Sequence, residues 1–273
     1  MPQSNPVITK ETMVTAALGT TPETTMIGVL GVKGGVGTTT VSVNLACALA
    51  QLRGSQVTLF DANVQQPDAA CLLNRHPRFS ILDLLSRQTL DDELLAACCE
   101  NLALDGKGTL RLISPPADAG QALQIESRDV TNLLVALKTH SQPAAWVVDL
   151  PRNIDSHLVA TLDLMSHIVL VLEATVPALA AARRWFEVFQ DLGFGPERVV
   201  CVLNRSGGKM KEIESQLDSN LRGYPLLRLP NAYEAAERAC IEGLPLLQLA
   251  PRSAYTRDMQ ELARYLTSTT GVA

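Results

Sequence analysis

One ten-residue stretch constrains this chain more than any other. Gly31-Val32-Lys33-Gly34-Gly35-Val36-Gly37-Thr38-Thr39-Thr40 follows an apolar run, Ile27 to Leu30, that reads as a strand. It precedes Val41 to Leu52, which reads as a helix. A glycine-rich turn in that setting points backbone N–H groups and the positive end of a helix at one spot, which makes an anion cradle. The general phosphate-loop pattern is G-x-x-x-x-G-K-[ST]. Gly37 and Thr39 fit it, but Val32 stands at the first glycine and Thr38 at the lysine, and the positive charge sits early, at Lys33. A glycine-rich turn alone is common in flexible loops. The strand–turn–helix setting with Lys-Gly-Gly-Val-Gly points instead to nucleotide phosphates.

Strand and helix signals alternate along most of the chain, which predicts βα units and a doubly wound, mostly parallel sheet flanked by helices, an α/β fold. The predicted strands are 26–31, 56–60, 109–113, 145–149, 167–172, 198–203 and 225–229. The predicted helices lie near 39–52, 90–99, 128–139, 157–164, 177–191, 210–221, 231–242 and 254–267. Aromatic content of only 4% among many aliphatic residues suits a sheet buried on both faces. At 273 residues one substantial core is expected. The expected division is a loose leader over 1–24 and one nucleotide-binding domain over 25–273.

Three further segments carry acids or amides at strand ends. Leu59-Phe60-Asp61-Ala62-Asn63 closes the second strand, and an acid there is either a turn former or a group placed beside a phosphate loop. Ala144-Ala145-Trp146-Val147-Val148-Asp149 is an apolar strand closed by an acid, followed by Leu150-Pro151-Arg152-Asn153. Val199 to Leu203 ends in Asn204-Arg205, and Leu229-Pro230-Asn231 follows the next strand.

The displaced lysine resembles the deviant Walker A loop of the ParA/MinD ATPase family, over roughly Thr25 to Leu266. Asp149-Leu150-Pro151-Arg152 is most similar to the TadZ/CpaE branch, which positions tight-adherence (Tad/Flp) pilus machinery. In that branch a receiver domain often precedes the ATPase-like domain, and here only the leader stands before it. The resemblance implies ATP on Gly34, Gly35, Val36, Gly37, Thr38, Thr39 and Thr40, with Mg²⁺ held by Thr39, Asp61 and Asp149, partly through water. It implies a homodimer across the nucleotide, with Lys33 reaching the partner's phosphates. Asn204 with Arg205, and Pro230, would lie on the adenine side. Arg152 would report on the terminal phosphate or touch a partner subunit, although a solvated loop arginine is as ordinary a reading.

Two departures bear on catalysis. Thr38 offers a hydroxyl where relatives carry a second lysine. Asn63 stands where the resemblance expects an aspartate that activates water, and an amide orients water but accepts no proton. Both imply weak or absent hydrolysis, at most a slow ATPase. The expected role is a nucleotide-bound scaffold for pilus or related secretion assembly proteins. The alternatives are an active switch of the partition or cell-division type, and a cellulose-synthesis-associated relative. A protein that binds no nucleotide is the plainest contrast.

Composition narrows the partners. A net charge of −5 argues against the basic face that non-specific DNA binding requires. No stretch reaches the roughly 18 apolar residues of a membrane span. Tyr255, Met259, Leu262 and Leu266 share a helical face, but Asp258 and Glu261 offset Arg257 and Arg264, which favours packing on the domain over a bilayer. These features predict a cytoplasmic protein, and the resemblance implies that partners recruit it to the cell pole or inner membrane. The six cysteines lack zinc spacing and read mostly as small buried side chains, Cys98-Cys99 as packed thiols or a redox pair. His76, His140, His157 and His167 read as surface or loop residues.

Overall fold

A computed structural model describes residues 24–87, 89–106, 108–140, 145–207, 217 and 221–269. The leader over 1–24, all but its last residue, and most of the helix expected over 210–221 lie outside these residues, as does Ala144.

Eight strands form one sheet in the order β3-β4-β2-β5-β1-β6-β7-β8. They are β1 (Thr25–Gly31), β2 (Gln56–Asp61), β3 (Glu100–Ala103), β4 (Thr109–Ile113), β5 (Ala145–Asp149), β6 (His167–Leu172), β7 (Val199–Ser206) and β8 (Leu226–Pro230). Every neighbouring pair is parallel except β3 with β4. The central strands β1, β5 and β6 are buried along their whole length. That is why they read as continuous apolar runs: helices cover both faces and no position points to water.

β1 lies between β5 and β6, so the loops leaving β1, β2, β5, β6 and β7 all open on one edge of the sheet. A crevice at the carboxyl ends of strands is where doubly wound sheets bind ligands. α1 (Thr38–Arg53) leaves the glycine-rich turn and runs beneath the sheet with ten buried residues, Val41 through Ala50. Its end is closed by Gly54 in the left-handed region, which hydrogen-bonds Ala50 O.

The remaining helices are α2 (Ala69–Leu72), α3 (Ile81–Leu85), α4 (Asp92–Ala97), α5 (Ala119–Ala122), α6 (Ser127–Thr139), α7 (Ser156–Leu164), α8 (Val176–Asp191), α9 (Tyr233–Glu242), α10 (Leu246–Leu249) and α11 (Ala254–Thr269). On α11, Tyr255, Met259, Leu262 and Leu266 are buried against the domain. No helix among the described residues is long and apolar enough to cross a membrane.

Two expectations need correction. The helix expected over 90–99 is shorter, and the chain leaves Cys98 and Cys99 to enter β3, a short edge strand that pairs antiparallel with β4. Both thiols are buried and free, and Cys99 Sγ accepts from Arg111 Nη2 at 2.8 Å. His167 is no surface residue: it opens β6 at 5% exposure, and burial holds its imidazole below the usual pKa. Four of the six cysteines are buried, as expected of most of them, and Cys71 and Cys240 are exposed.

Candidate functional site: a phosphate-loop cavity at the carboxyl edge of the sheet

The turn between β1 and α1 is shaped by glycine at the points where a side chain cannot fit. Gly37 caps α1 with φ 89°, a left-handed conformation, and a methyl there would collide with Asn204 Nδ2. A methyl on Gly31 would collide with Thr38 Oγ1, so the threonine at the lysine position turns its hydroxyl back toward the end of β1. Val36 is fully buried and does not line the adjoining cavity.

Around this turn lies a cavity of about 470 Å³, within the range of small-molecule sites. Lys33, Gly34, Gly35, Gly37, Thr38, Thr39 and Thr40 line it from the loop. Asn63, Asp149, Arg152 and Arg205 line it from the ends of other strands. A second cavity of about 370 Å³ shares Gly37, Thr40 and Arg205 with it and adds Asn204, Asn231 and Tyr233. Pro230 ends β8 and lines neither.

Asp149 sits at the base of the first cavity at 2% exposure. Ser42 Oγ donates to its Oδ1 at 2.9 Å, and Thr39 adds a second hydrogen bond. Burial pushes the Asp149 carboxyl up to about 6, and the two hydroxyls oppose the rise without cancelling it. Ser42 was not singled out in the sequence, because a small polar residue inside a helix carries no signal until the fold shows what it faces.

Asp61 pairs with Asp149 across β2 and β5 and is fully buried, outside the residues that line the cavity. Its Oδ1 accepts from Asn63 N at 3.0 Å and its Oδ2 from Ala69 N at 3.2 Å, so in this conformation it organises the loop after β2. Burial, and then the nearby Asp149, raise its pKa well above the usual carboxylate range. Asn63 lies at the cavity wall, its Nδ2 donating to Gln66 O at 2.9 Å.

β7 is bulged between Leu203 and Ser206, with Arg205 at φ 57°. A bulge re-aims the side chains on either side of it. Asn204 turns inward, at 6% exposure, and donates from Nδ2 to Val36 O at 2.8 Å, while Arg205 faces the cavity. Asn204 thereby fixes the loop from the base side.

Glu173, one residue beyond β6, is the functional neighbour that the sequence reading missed. Lys33 Nζ donates to its Oε1 at 2.9 Å and to Gly34 O at 3.2 Å. Arg205 Nη1 lies 3.4 Å from its Oε2. The signal was available: Glu173 follows a parallel strand as Asp149 closes one.

A divalent cation with a phosphate chain suits this donor set. Asp149 and the Thr39 hydroxyl are hard oxygen ligands, and Mg²⁺ keeps waters and phosphate oxygens for its other positions. Accordingly, no group of three or more His, Cys, Asp or Glu is clustered among the described residues to hold a metal alone.

The family described as the CobQ/CobB/MinD/ParA nucleotide binding domain matches residues 27–246. The septum site-determining protein MinD of Thermotoga maritima is 26% identical over 63% of this chain. That match spans 61% of the Thermotoga protein's own length. A ParA family ATPase from Chlorobium tepidum superposes with a TM-score of 0.76 at 22% identity, covering 88% of this chain and 99% of that one. MinD from Pyrococcus horikoshii, solved with Mg-ADP, superposes with a TM-score of 0.73 at 18% identity, covering 91% and 98%.

Proposed function

This chain belongs to the CobQ/CobB/MinD/ParA nucleotide binding domain family, and from that premise we propose that it binds ATP with Mg²⁺ and hydrolyses it slowly or not at all. It pairs with a second copy across the nucleotide and organises assembly of a Tad/Flp-type pilus or related secretion machinery. The Mg-ADP of the Pyrococcus relative supports the ligand class. The observation that carries the reading is the cavity itself: a glycine-shaped loop and helix N-terminus facing a buried carboxylate that, among the described residues, two hydroxyls satisfy.

In this reading the backbone of Gly34 to Thr40 holds the phosphates, and Thr39 and Asp149 hold Mg²⁺, with Asp61 behind them through water. The metal supplies neutralisation of phosphate charge and polarisation of the terminal phosphoryl group. Asn204 and Arg205 take the base side, and Lys33 serves the partner subunit. Asn63 orients a water without removing its proton, and Thr38 adds no charge to the developing phosphoryl negative charge. Each omission removes a contribution that is commonly worth 10²-fold or more, by order of magnitude, in comparable enzymes. The pilus assignment rests on the resemblance carried by Asp149-Leu150-Pro151-Arg152.

A second reading, a positioning ATPase of the partition or cell-division type, is supported by the likeness to MinD and ParA-family proteins. Equilibrium dialysis with ATP, with and without Mg²⁺, tests ligand binding; absence of Mg²⁺-dependent retention refutes it. Phosphate release measured alone, with duplex DNA and with anionic vesicles separates the two roles. Strong stimulation by DNA or vesicles favours positioning, and a flat, slow rate favours the scaffold.

A further inference from the structure

We propose that Arg152 supplies, from the loop after β5, the terminal-phosphate contact that the β1–α1 loop lacks at Thr38. This rests on the nucleotide reading of the same cavity.

Three observations converge. The residue at the lysine position, Thr38, is neutral and turns its hydroxyl toward Gly31. Arg152 lies directly over Gly34: a methyl there would collide with Nη1, and the next nearest atoms are Cζ and Nη2 of the same guanidinium. The third observation is the charge balance. Lys33, Arg152 and Arg205 are the cations that line the cavity. Lys33 and Arg205 are both engaged by Glu173, at 2.9 and 3.4 Å. Arg152 has no hydrogen bond or ion pair among the described residues. One guanidinium is therefore left uncommitted over the glycine face of an anion cradle.

The chemistry suits the task. A guanidinium is always charged, weakly hydrated and forked, so it grips two phosphate oxygens at once, where an ammonium acts as a point charge. The helix N-terminus and loop N–H groups take the inner phosphates from the α1 side. Arg152 comes from β5, across the loop, and takes the outer one. A side chain at Gly34 would displace the guanidinium from this position. A charge on a separate loop also makes tight binding depend on that loop's position, which a lysine on α1 would not.

The experiment is calorimetric titration of ATP and ADP, each with Mg²⁺, into the full chain and the variants Arg152→Ala, Arg152→Lys and Arg152→Ala with Thr38→Lys. A charge-assisted hydrogen bond of ordinary strength predicts that Arg152→Ala weakens ATP by about 10- to 100-fold and ADP by no more than about twofold. Adding Thr38→Lys restores most of the ATP affinity, and Arg152→Lys retains part of it. Wild-type ATP affinity in Arg152→Ala, or equal loss of ATP and ADP, overturns the proposal while leaving the nucleotide reading in place. A wild-type chain that binds neither nucleotide overturns both. Thermal melting of Arg152→Ala at the wild-type temperature, expected of an exposed side chain without partners, ties any loss to the contact.

Discussion

Lys33 Nζ lies 2.9 Å from Glu173 Oε1, and the other oxygen of the same carboxylate faces Arg205 Nη1 at 3.4 Å. One acid at the end of β6 thus holds two of the three cations that line the phosphate cavity. ATP has to compete with that carboxylate for them. Glu173→Gln is therefore predicted to tighten ATP by about three- to tenfold in calorimetry, the scale of a partly exposed charge interaction. Because the pairs are partly exposed, its folding stability changes by no more than about 1 kcal/mol. A loss of affinity would show instead that Glu173 positions the cations for the ligand.

Glycine at 37 and glycine at 35 are both left-handed, yet they are not equivalent. Nothing lies within 4 Å of a methyl built on Gly35, whereas on Gly37 it meets Asn204 Nδ2. Gly35→Ala should cost about 1 kcal/mol, the backbone penalty alone. Gly37→Ala should cost about 2 kcal/mol more, because it also displaces the buried hydrogen bond from Asn204 to Val36. Urea unfolding of both variants checks the difference.

Much of this architecture was legible in the residues, and the reasons are particular. The parallel strands stood out as largely apolar runs, most clearly β1, β5 and β6, which are buried throughout and leave no room for polar alternation. β3 did not, because Glu100 to Ala103 is short, edge-on and partly exposed. α2, α3, α5 and α10 are four- or five-residue turns, too short for a helical period to register. Among site residues, Lys33, Thr39, Asn63, Asp149, Arg152 and Arg205 do gather at one cavity. Asp61 lies beside it, turned into its own loop, since two backbone N–H groups claim its oxygens. His167 was misread because a single polar residue at the head of β6 looks like a loop residue until both sheet faces are covered.

The buried acid predicts a pH dependence. Asp149 ionises at about 6 in the folded chain, against an ordinary value of 3.8. Between those values the unfolded chain gives up its proton first, so folding stability falls as pH rises from about 4 to about 6. Roughly two pKa units at about 1.4 kcal/mol each make a loss of up to about 3 kcal/mol. Denaturant unfolding across that window should show the loss in wild type and a shallower dependence in Asp149→Asn. Asp61 leaves a residual slope of the same sign. Saturating Mg²⁺ with ATP should flatten the wild-type curve.

If Thr38 and Asn63 are what slow the chemistry, restoring the expected groups should quicken it. Asn63→Asp supplies a proton acceptor and Thr38→Lys a phosphate-facing charge. Each is predicted to raise phosphate release by about tenfold or more, in line with single catalytic groups elsewhere. Steady-state release from both variants and the double variant, at saturating ATP, measures it. Rates unchanged from wild type would place the block elsewhere.

The central claim is that this chain uses ATP to hold two copies together and does not spend it quickly. Static light scattering of the pure protein, with and without ATP and Mg²⁺, tests that claim most directly when phosphate release is followed in the same samples. The account predicts a doubling of mass on adding ATP with Mg²⁺, with almost no phosphate released over the measurement. A monomer under both conditions, or a dimer that turns ATP over rapidly, would contradict it.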